Sequence, residues 1–161
     1  MPLLNGIRVL AFENGLAGPL ATRLLADLGA DVIKVERPDG GDVTRAWDTV
    51  AAGLSSGFVW VNRGKRSVAL DVKDPEHRPA IERLIERSDV VLQNYTPGWA
   101  DRVGLGEEAV RVLRPDVVYV DISGYGPDGP YARKNAYDLV MQGETGLIAV
   151  TGSPAEPARV G

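Results

Sequence analysis

Apolar residues in this chain form short runs that alternate with segments of helical periodicity. The first run, residues 7–12, has the length and composition of a buried strand. Leucines between residues 20 and 28 then recur at helical spacing, and Gly29 is suited to end that helix. A second apolar run covers residues 30–36. These segments predict a βαβ unit with parallel strands and a right-handed crossover.

The same alternation continues along the chain. It predicts strands at residues 67–72, 89–95 and 116–122, a helix that opens at Asp74, and a short helix at 107–113. Strands and helices that alternate in this way indicate an α/β fold, here a Rossmann-like layered domain with a mainly parallel sheet. Such sheets bind ligands at the carboxyl ends of their strands.

Two segments depart from the alternation. Residues 40–62 form a long excursion with Gly and Ser breakers, in which we expect one short helix or strand. Residues 152–161 are rich in Pro and Gly and end without a terminating element. We therefore expect a binding domain at residues 1–151 and a linker at 152–161 that leads to a missing remainder.

Composition narrows the classes of function. The net charge of −4 argues against nucleic acid as a partner. No apolar run approaches the roughly 18 residues of a membrane span, and the N-terminus lacks a signal-peptide pattern, so we expect a cytoplasmic protein without membrane contact. The chain has no cysteine and one histidine, His77, which excludes thiolate and multi-histidine metal sites within it.

The first βαβ unit resembles a dinucleotide-binding unit only in part. Glu36 ends the second strand, as an acidic residue does in dinucleotide folds, but Gly15 and Gly18 give G-x-x-G rather than G-x-G-x-x-G. Arg37 follows directly and could bind a ribose phosphate. That phosphate would be the 2′-phosphate in NADP or the 3′-phosphate in coenzyme A, and a solvated arginine is an equal alternative.

Two further segments carry groups that could bind an anionic or planar ligand. Residues 63–66 hold three cations, which suit a pyrophosphate, although a solvated basic turn is the simpler interpretation. Residues 94–98 follow a strand, with Trp99 and Arg102 nearby. These side chains could hold an adenine or a pantetheine arm, or they could form an ordinary turn with Trp99 in the core.

One short motif suggests a nucleophile. Residues 53–57 match the pattern G-x-S-x-G of a nucleophile elbow. No clear strand precedes the match, and His77 lies at a charged helix start, where we expect it to face solvent. We therefore predict that the match is coincidental.

Taken in order, these segments resemble the family III CoA-transferases of the CaiB/BaiF type, which include formyl-CoA transferase and the α-methylacyl-CoA racemases. The likeness covers essentially the whole chain, and this makes it more specific than any single motif. It is carried by residues 6–10, 16–19, 25–36, 41–42, 62–67, 70–73, 94–98, 104–106, 122–126 and 137–138.

The resemblance implies where coenzyme A binds. No permanently bound cofactor and no metal are implied; CoA or acyl-CoA is a substrate. The implied contacts are the first loop, the arginine after the second strand, three later segments and one isolated arginine. In this sequence they are Leu16, Ala17, Arg37, Leu70, Asp71, Val72, Lys73, Asn94, Tyr95, Thr96, Arg102, Lys134, Asn135, Ala136 and Tyr137.

The resemblance also implies the chemistry. In this family an aspartate attacks the acyl-CoA thioester and becomes an aspartyl-CoA thioester, from which a carboxylic acid takes the CoA. The matching position lies just beyond Gly161, so we assign no catalytic residue and expect the chain alone to be inactive. Full members of the family are interlocked homodimers, and relative to them the chain is an incomplete fold.

Position 137 separates the two branches of the family. The racemases carry a histidine there as an acid/base, whereas this chain carries Tyr137. A phenol with an ordinary pKa near 10 is unsuited to taking a proton from carbon at neutral pH, which favours the transferases. A non-catalytic CoA-binding module, a racemase-like fragment and an NADP-binding reductase domain stay open as alternatives.

Overall fold

Five parallel strands form the single sheet of the part of the chain that the structure describes, residues 1–160 of a computed structural model. In the order β3-β2-β1-β4-β5, each strand is hydrogen-bonded to its neighbours in parallel register. The strands are β1 (Arg8–Phe12), β2 (Asp31–Glu36), β3 (Arg66–Ala69), β4 (Val90–Gln93) and β5 (Val118–Asp121).

Helices connect these strands and continue beyond the last one. They are α1 (Ala17–Asp27), α2 (Ser56–Asn62), α3 (Arg78–Glu86), α4 (Trp99–Arg102), α5 (Glu107–Leu113), α6 (Asp138–Glu144) and α7 (Leu147–Val150). A single turn of 3₁₀ helix, Val43–Ala46, precedes α2. The predicted α/β fold with a parallel sheet is confirmed, and the excursion at residues 40–62 contains one short α-helix.

The end of α1 shows how local sequence fixes the first crossover. The backbone N–H of Gly29 donates to Ala26 at 2.9 Å, and that of Ala30 donates to Leu25 at 3.0 Å. These are the two bonds of a Schellman motif, which requires a left-handed residue at Gly29, where φ is +101°. The helix therefore ends where β2 must begin.

Both faces of the sheet are covered. Along β1, Leu10 and Phe12 belong to one buried cluster with Ile81 of α3, whereas Val9 and Ala11 belong to a second cluster that packs against Leu25 of α1. Side chains alternate between the faces of a strand, so a strand buried on both faces reads as a continuous apolar run. This burial explains why β1, β2 and β4 were recognisable in the sequence.

The chain divides into two compact units, one of residues 1–122 and one that starts at Ser123. The sheet and α1–α5 belong to the first unit, and α6 and α7 belong to the second. In the second unit, Gly152 and Pro157 form an antiparallel bridge that closes a tight turn. The predicted linker at 152–161 stays a prediction. Within residues 1–160, none of the helices is both long and apolar enough to cross a membrane.

Candidate functional site

A cleft of about 290 Å³ opens in the first unit at the carboxyl ends of the strands. Residues from the ends of β1 and β2 meet residues that follow β3 and β4. The sheet order changes direction at β1, and ligands of open α/β sheets bind beside such a point. The cleft is lined by Phe12, Val35, Glu36, Arg37, Asp39, Leu70, Asp71, Val72, Lys73, Tyr95 and Trp99.

Aromatic rings form one side of the cleft. The rings of Tyr95 and Trp99 are stacked, with centroids 4.0 Å apart and planes inclined by 26°. Phe12 lies at the buried end of β1, 2% exposed. Burial raises the pKa of the Tyr95 phenol, so this group is neutral at physiological pH. The aromatic side therefore offers an uncharged apolar surface that suits a planar ring.

The segment 70–73 forms a second side, which we call the wall. Three hydrogen bonds fix its backbone. Leu70 N–H donates to the Glu36 carbonyl at 2.9 Å, and Lys73 N–H donates to the Asp71 carboxylate at 2.9 Å. Asp71 N–H donates to Nδ1 of His77 at 3.0 Å. The expectation that His77 faces solvent is therefore wrong. Its imidazole is half-buried and bonded to the wall.

The rim of the cleft carries two cations without an acidic partner. Arg37 and Lys73 are exposed, and within residues 1–160 neither forms an ion pair closer than 4.0 Å. Asp39 and Asp71 also lie on the lining. Exposed cations without a protein partner can bind an anionic group of a ligand.

Glu36 lies in the cleft but its carboxylate is fully occupied. Both oxygens accept from Arg45, at 2.7 Å each, and they also accept from Ser67 Oγ at 2.6 Å and from the Asp42 N–H at 3.1 Å. Burial raises the pKa of this carboxyl, but these donors outweigh burial and lower it to about 2. With four bonds accepted, the carboxylate has no lone pair left for a ribose hydroxyl.

The three cations of residues 63–66 each form an ion pair with a carboxylate of the protein. Arg63 forms an ion pair with Asp27 at 2.8 Å, and Arg66 forms one with Asp31 at 2.6 Å. The side chain of Lys65 is 2% exposed. For Lys65 both the pyrophosphate hypothesis and the solvated-turn interpretation are therefore wrong, whereas Arg63 and Arg66 are 55% and 61% exposed, as in a solvated turn. Sequence spacing did not reveal which carboxylates the register brings close.

Lys65 belongs to a buried cluster that sequence reasoning missed. This cluster, the charged quartet, consists of Glu13, Lys34, Asp42 and Lys65. Lys34 Nζ lies 2.6 Å from Asp42 and 3.5 Å from Glu13, and Lys65 Nζ lies 2.7 Å from Glu13. Burial lowers the pKa of Lys65 to about 8, so its ammonium is still charged at neutral pH beside the Glu13 carboxylate. A lysine inside the apolar run of β2 was the available signal.

The loop before α1 carries two of the predicted CoA contacts. Leu16 and Ala17 are exposed at the start of α1 and do not line the cleft. Asn94 also does not line it. Its amide accepts from the Asn14 N–H at 2.8 Å and donates to the Asn14 carbonyl at 2.9 Å. Asn94 therefore holds the loop that presents Leu16 and Ala17.

The remaining predicted contacts lie outside the cleft lining. Thr96 and Arg102 are exposed, the first in the loop after β4 and the second at the end of α4. The residues at 134–137 belong to the second unit and are exposed. The cleft thus brings together six of the predicted site residues: Arg37, Leu70, Asp71, Val72, Lys73 and Tyr95.

Among the predicted site residues of the second unit, Lys134 belongs to a polar cluster. The ammonium of Lys134 donates to Glu144, which also accepts from the hydroxyl of Tyr125. The same ammonium lies 4.0 Å from the centre of the Tyr131 ring, in a cation–π contact. Tyr137 directly precedes α6 and is 71% exposed.

The G-x-S-x-G match is a helix start. Ser55 is buried, and its hydroxyl accepts from the Phe58 N–H at 3.3 Å as the N-cap of α2. A nucleophile elbow requires a strand before the serine, and no named strand lies between β2 and α2. The same part of the chain, residues 1–160, holds no group of three or more acidic or histidine side chains that could bind a metal ion.

A five-stranded parallel sheet with helices between its strands and a cleft at the strand ends defines a Rossmann-like α/β domain. The chain belongs to CoA-transferase family III, whose family profile matches residues 4–161. The resemblance predicted from the sequence is therefore confirmed.

Individual relatives agree with this assignment. The chain is 44% identical to succinate–glutarate CoA-transferase of Agrobacterium fabrum over 99% of its own length and 42% of that protein. It is 42% identical to human succinyl-CoA:glutarate CoA-transferase, over 98% of its own length and 36% of that protein. The chain thus spans about two fifths of the length of these curated relatives.

Solved structures give the same result for the fold. A CAIB/BAIF family protein from Brucella suis superimposes with a TM-score of 0.91 at 40% identity, covering 99% of this chain and 43% of that one. A Mycobacterium tuberculosis protein gives a TM-score of 0.87 at 36% identity, covering 99% and 44% of the two chains. The fold described above is therefore the fold of the corresponding part of these family members.

Proposed function

We propose that this chain is the CoA-binding part of an acyl-CoA:carboxylate CoA-transferase, and that its cleft holds the adenosine and 3′-phosphate end of CoA. The observation that carries the proposal is the pairing of an aromatic side with unpaired cations at the rim. The adenine ring would lie beside Tyr95 and Trp99, and the 3′-phosphate would lie near Arg37. Membership of the family supports this choice of ligand.

The occupied carboxylate of Glu36 supports CoA over a dinucleotide. In dinucleotide folds the acid at this strand end binds ribose hydroxyls, whereas here its four acceptor positions are filled by protein donors. The glycine fingerprint of those folds is also absent from residues 13–18. Arg37 is then free to bind a phosphate on the ribose of CoA.

The proposed reaction moves CoA from one carboxylic acid to another. Relatives of this chain are named for transfer between succinate and glutarate, and others for transfer to oxalate. An aspartate would attack the thioester carbonyl and release CoA thiolate, which attacks the mixed anhydride and forms the aspartyl-CoA thioester and the free acid. The acceptor carboxylate would then reverse these steps, restoring the aspartate. We expect residues outside this chain to supply that aspartate, and a homodimer to be the working assembly.

Tyr137 supports transfer over racemisation, because a phenol is a poor base toward carbon at neutral pH. The protein is therefore expected not to exchange the α-proton of a 2-methylacyl-CoA in deuterated water. Exchange at a rate typical of a racemase, followed by mass spectrometry, would contradict the transferase proposal.

Calorimetric titration with CoA, 3′-dephospho-CoA and NADPH tests the binding proposal. CoA is expected to bind, and its affinity to fall about tenfold without the 3′-phosphate or in Arg37→Ala, the size of one charge-assisted hydrogen bond. The two losses should not add, because both remove the same contact. Arg83→Ala, which removes an exposed arginine of α3 outside the cleft, is the matched control.

The titration has two outcomes that contradict the proposal. Binding of NADPH but not CoA would favour a reductase domain. Equal affinity for CoA and 3′-dephospho-CoA, with no effect of Arg37→Ala, would mean that the cleft does not hold the 3′-phosphate.

A further inference from the structure

The chain's single histidine contacts the wall of the cleft from behind. His77 does not line the cleft, yet its Nδ1 accepts the backbone N–H of Asp71, a residue that does. An imidazole that accepts through Nδ1 is neutral and carries its proton on Nε2. The wall therefore depends on a side chain that can lose its acceptor when it is protonated.

The bond from His77 differs in kind from the others that fix the wall. The wall is tied to the end of β2 by Leu70 N–H and to itself by the turn that Asp71 makes with Lys73 and Asp74. The bond between Asp71 and His77 is the tie to the start of α3. Without it, the wall would keep its bond to β2, its own turn and the packing of Leu70 and Val72 against the core, but the Asp71 N–H would have no partner.

We propose that His77 is a positioning residue for coenzyme A binding, acting in its neutral form by holding Asp71 and thus the wall 70–73. The inference rests on the proposed function of the cleft. The imidazole itself does not contact the ligand; it fixes the backbone against which the ligand packs. Lowering the pH is therefore expected to loosen the wall and weaken binding.

The surroundings of the imidazole favour this response to protonation. Asp74 Oδ2 lies 3.8 Å from Nδ1 of His77. Among residues 1–160, no other acidic group lies within 4.0 Å of the imidazole nitrogens. A protonated Nδ1 would donate to this carboxylate and release Asp71. The pairing would also offset the positive charge, so that little attraction for an anionic ligand is gained.

Other charged groups near His77 are directed elsewhere. The guanidinium of the adjacent Arg78 donates to Glu82 and to the carbonyls of Val103 and Gly104. The carboxylate of Asp71 accepts from the Lys73 N–H. Neither the Lys73 ammonium nor the Glu76 carboxylate forms an ion pair within 4.0 Å with any of the described residues. Asp74 is thus the acidic group placed to pair with a protonated imidazole at the wall.

Two substitutions separate the hydrogen bond from the titration. His77→Ala removes the acceptor, and calorimetry at about pH 8, where a free imidazole is neutral, should show about fivefold weaker CoA binding, the size of one neutral hydrogen bond. His77→Asn places an amide oxygen near the position of Nδ1 and does not titrate. It should restore the affinity at this pH.

The same titration at about pH 5.5 tests the role of protonation. The unsubstituted chain should lose more affinity than His77→Asn, because the phosphates of CoA titrate equally in both. An equal loss in the two proteins would overturn the proposal. So would a His77→Ala variant that binds CoA as tightly as the unsubstituted chain at the higher pH.

Amide hydrogen exchange of the ligand-free chain tests the wall independently of CoA. Exchange at Asp71 should be faster in His77→Ala and normal in His77→Asn at neutral pH. Exchange that does not depend on residue 77 would overturn positioning by His77 while leaving the proposed function intact. A chain that binds no CoA would instead overturn the proposed function, and with it any role of His77 in binding CoA.

Discussion

At the scale of single residues, Glu36 has a structural role that differs from the role of the acidic residue in dinucleotide folds. It is buried, and its carboxylate accepts hydrogen bonds from Arg45, Ser67 and a backbone N–H rather than from a ribose. Its carboxylate fixes the loop after β2, whereas Arg37 is exposed and lines the cleft. The acidic residue at this strand end is therefore the same as in a dinucleotide-binding site, but here its partners are protein groups.

The lowered pKa of Glu36 predicts how acid acts on stability. Because its folded pKa of about 2 lies below the ordinary 4.5, the stabilisation is complete above pH 4.5 and is lost as pH falls toward 2. The difference corresponds to about 3 kcal/mol at neutral pH before screening, and water at Arg45, which is 39% exposed, reduces this to about 2 kcal/mol. Glu36→Gln should lower the free energy of unfolding in urea by this amount at pH 7 and by little near pH 2.

Asp39→Asn provides the matched control for this experiment. Asp39 is an exposed carboxylate of the same strand end and forms no ion pair within 4.0 Å in residues 1–160. Its replacement should leave the profile of stability against pH nearly unchanged. A Glu36→Gln profile parallel to that of the unsubstituted chain would contradict the role assigned to Glu36.

Individual side chains divide into those that the sequence could predict and those that it could not. Arg37, Tyr95 and the wall lie in the cleft because strand ends of a parallel sheet meet at one edge, which sequence order alone predicts. Lys65 and His77 were misinterpreted, because their partners Glu13 and Asp71 are set by register and loop geometry. A charge in a short sequence window does not reveal its partner across the fold.

At the scale of elements, strands were more predictable than the segment that precedes β3. β1, β2 and β4 are buried on both faces and have the apolar runs that such burial requires. The segment at 40–62 instead leaves Trp47, Leu54 and Trp60 about half exposed. Its apolar residues therefore follow no clear period, and the sequence could not decide between helix and strand.

The start of α2 offers a test of the helix-cap interpretation of Ser55. Ser55→Ala removes the oxygen that accepts the Phe58 N–H and should lower the free energy of unfolding by about 1 kcal/mol. Ser55→Thr retains the hydroxyl and should lower it less. Thermal or urea unfolding followed by circular dichroism measures both effects.

The same serine should be chemically inert. A buried cap hydroxyl without a base beside it is not an activated nucleophile, so an organophosphonate probe of reactive serines should leave Ser55 unlabelled. Covalent labelling of Ser55, located by peptide mass spectrometry, would contradict the helix-cap interpretation and revive the nucleophile elbow.

At the scale of the whole first unit, the charged quartet joins segments that are distant in sequence. Glu13 follows β1, Lys34 belongs to β2, Asp42 caps the 3₁₀ turn, and Lys65 precedes β3. Lys65 also donates to the Pro19 carbonyl in α1 at 2.8 Å, and Asp42 accepts from the Gly15 N–H at 3.2 Å. The quartet therefore links the cleft-bearing strand ends to the loop that presents Leu16 and Ala17.

A double-mutant cycle on Lys34 and Asp42 tests this link. Their side chains are 1% and 0% exposed, so removing one leaves the other charged and poorly solvated. Lys34→Met and Asp42→Asn should each lower the free energy of unfolding by about 3 to 5 kcal/mol. The double variant should lose less than the sum, with a coupling of about 1 to 3 kcal/mol measured by urea unfolding at neutral pH.

The exposed pair Glu107 and Arg111 on α5 is the matched control for the cycle. Its atoms lie 2.9 Å apart, nearly as close as those of Lys34 and Asp42, but its side chains are 57% and 43% exposed. Water screens such a pair, so Glu107→Gln and Arg111→Met should couple by about 0.3 to 0.5 kcal/mol. If the buried pair coupled no more strongly than this control, burial would add nothing to the pairing, and the quartet would not be what holds the cleft and the loop together.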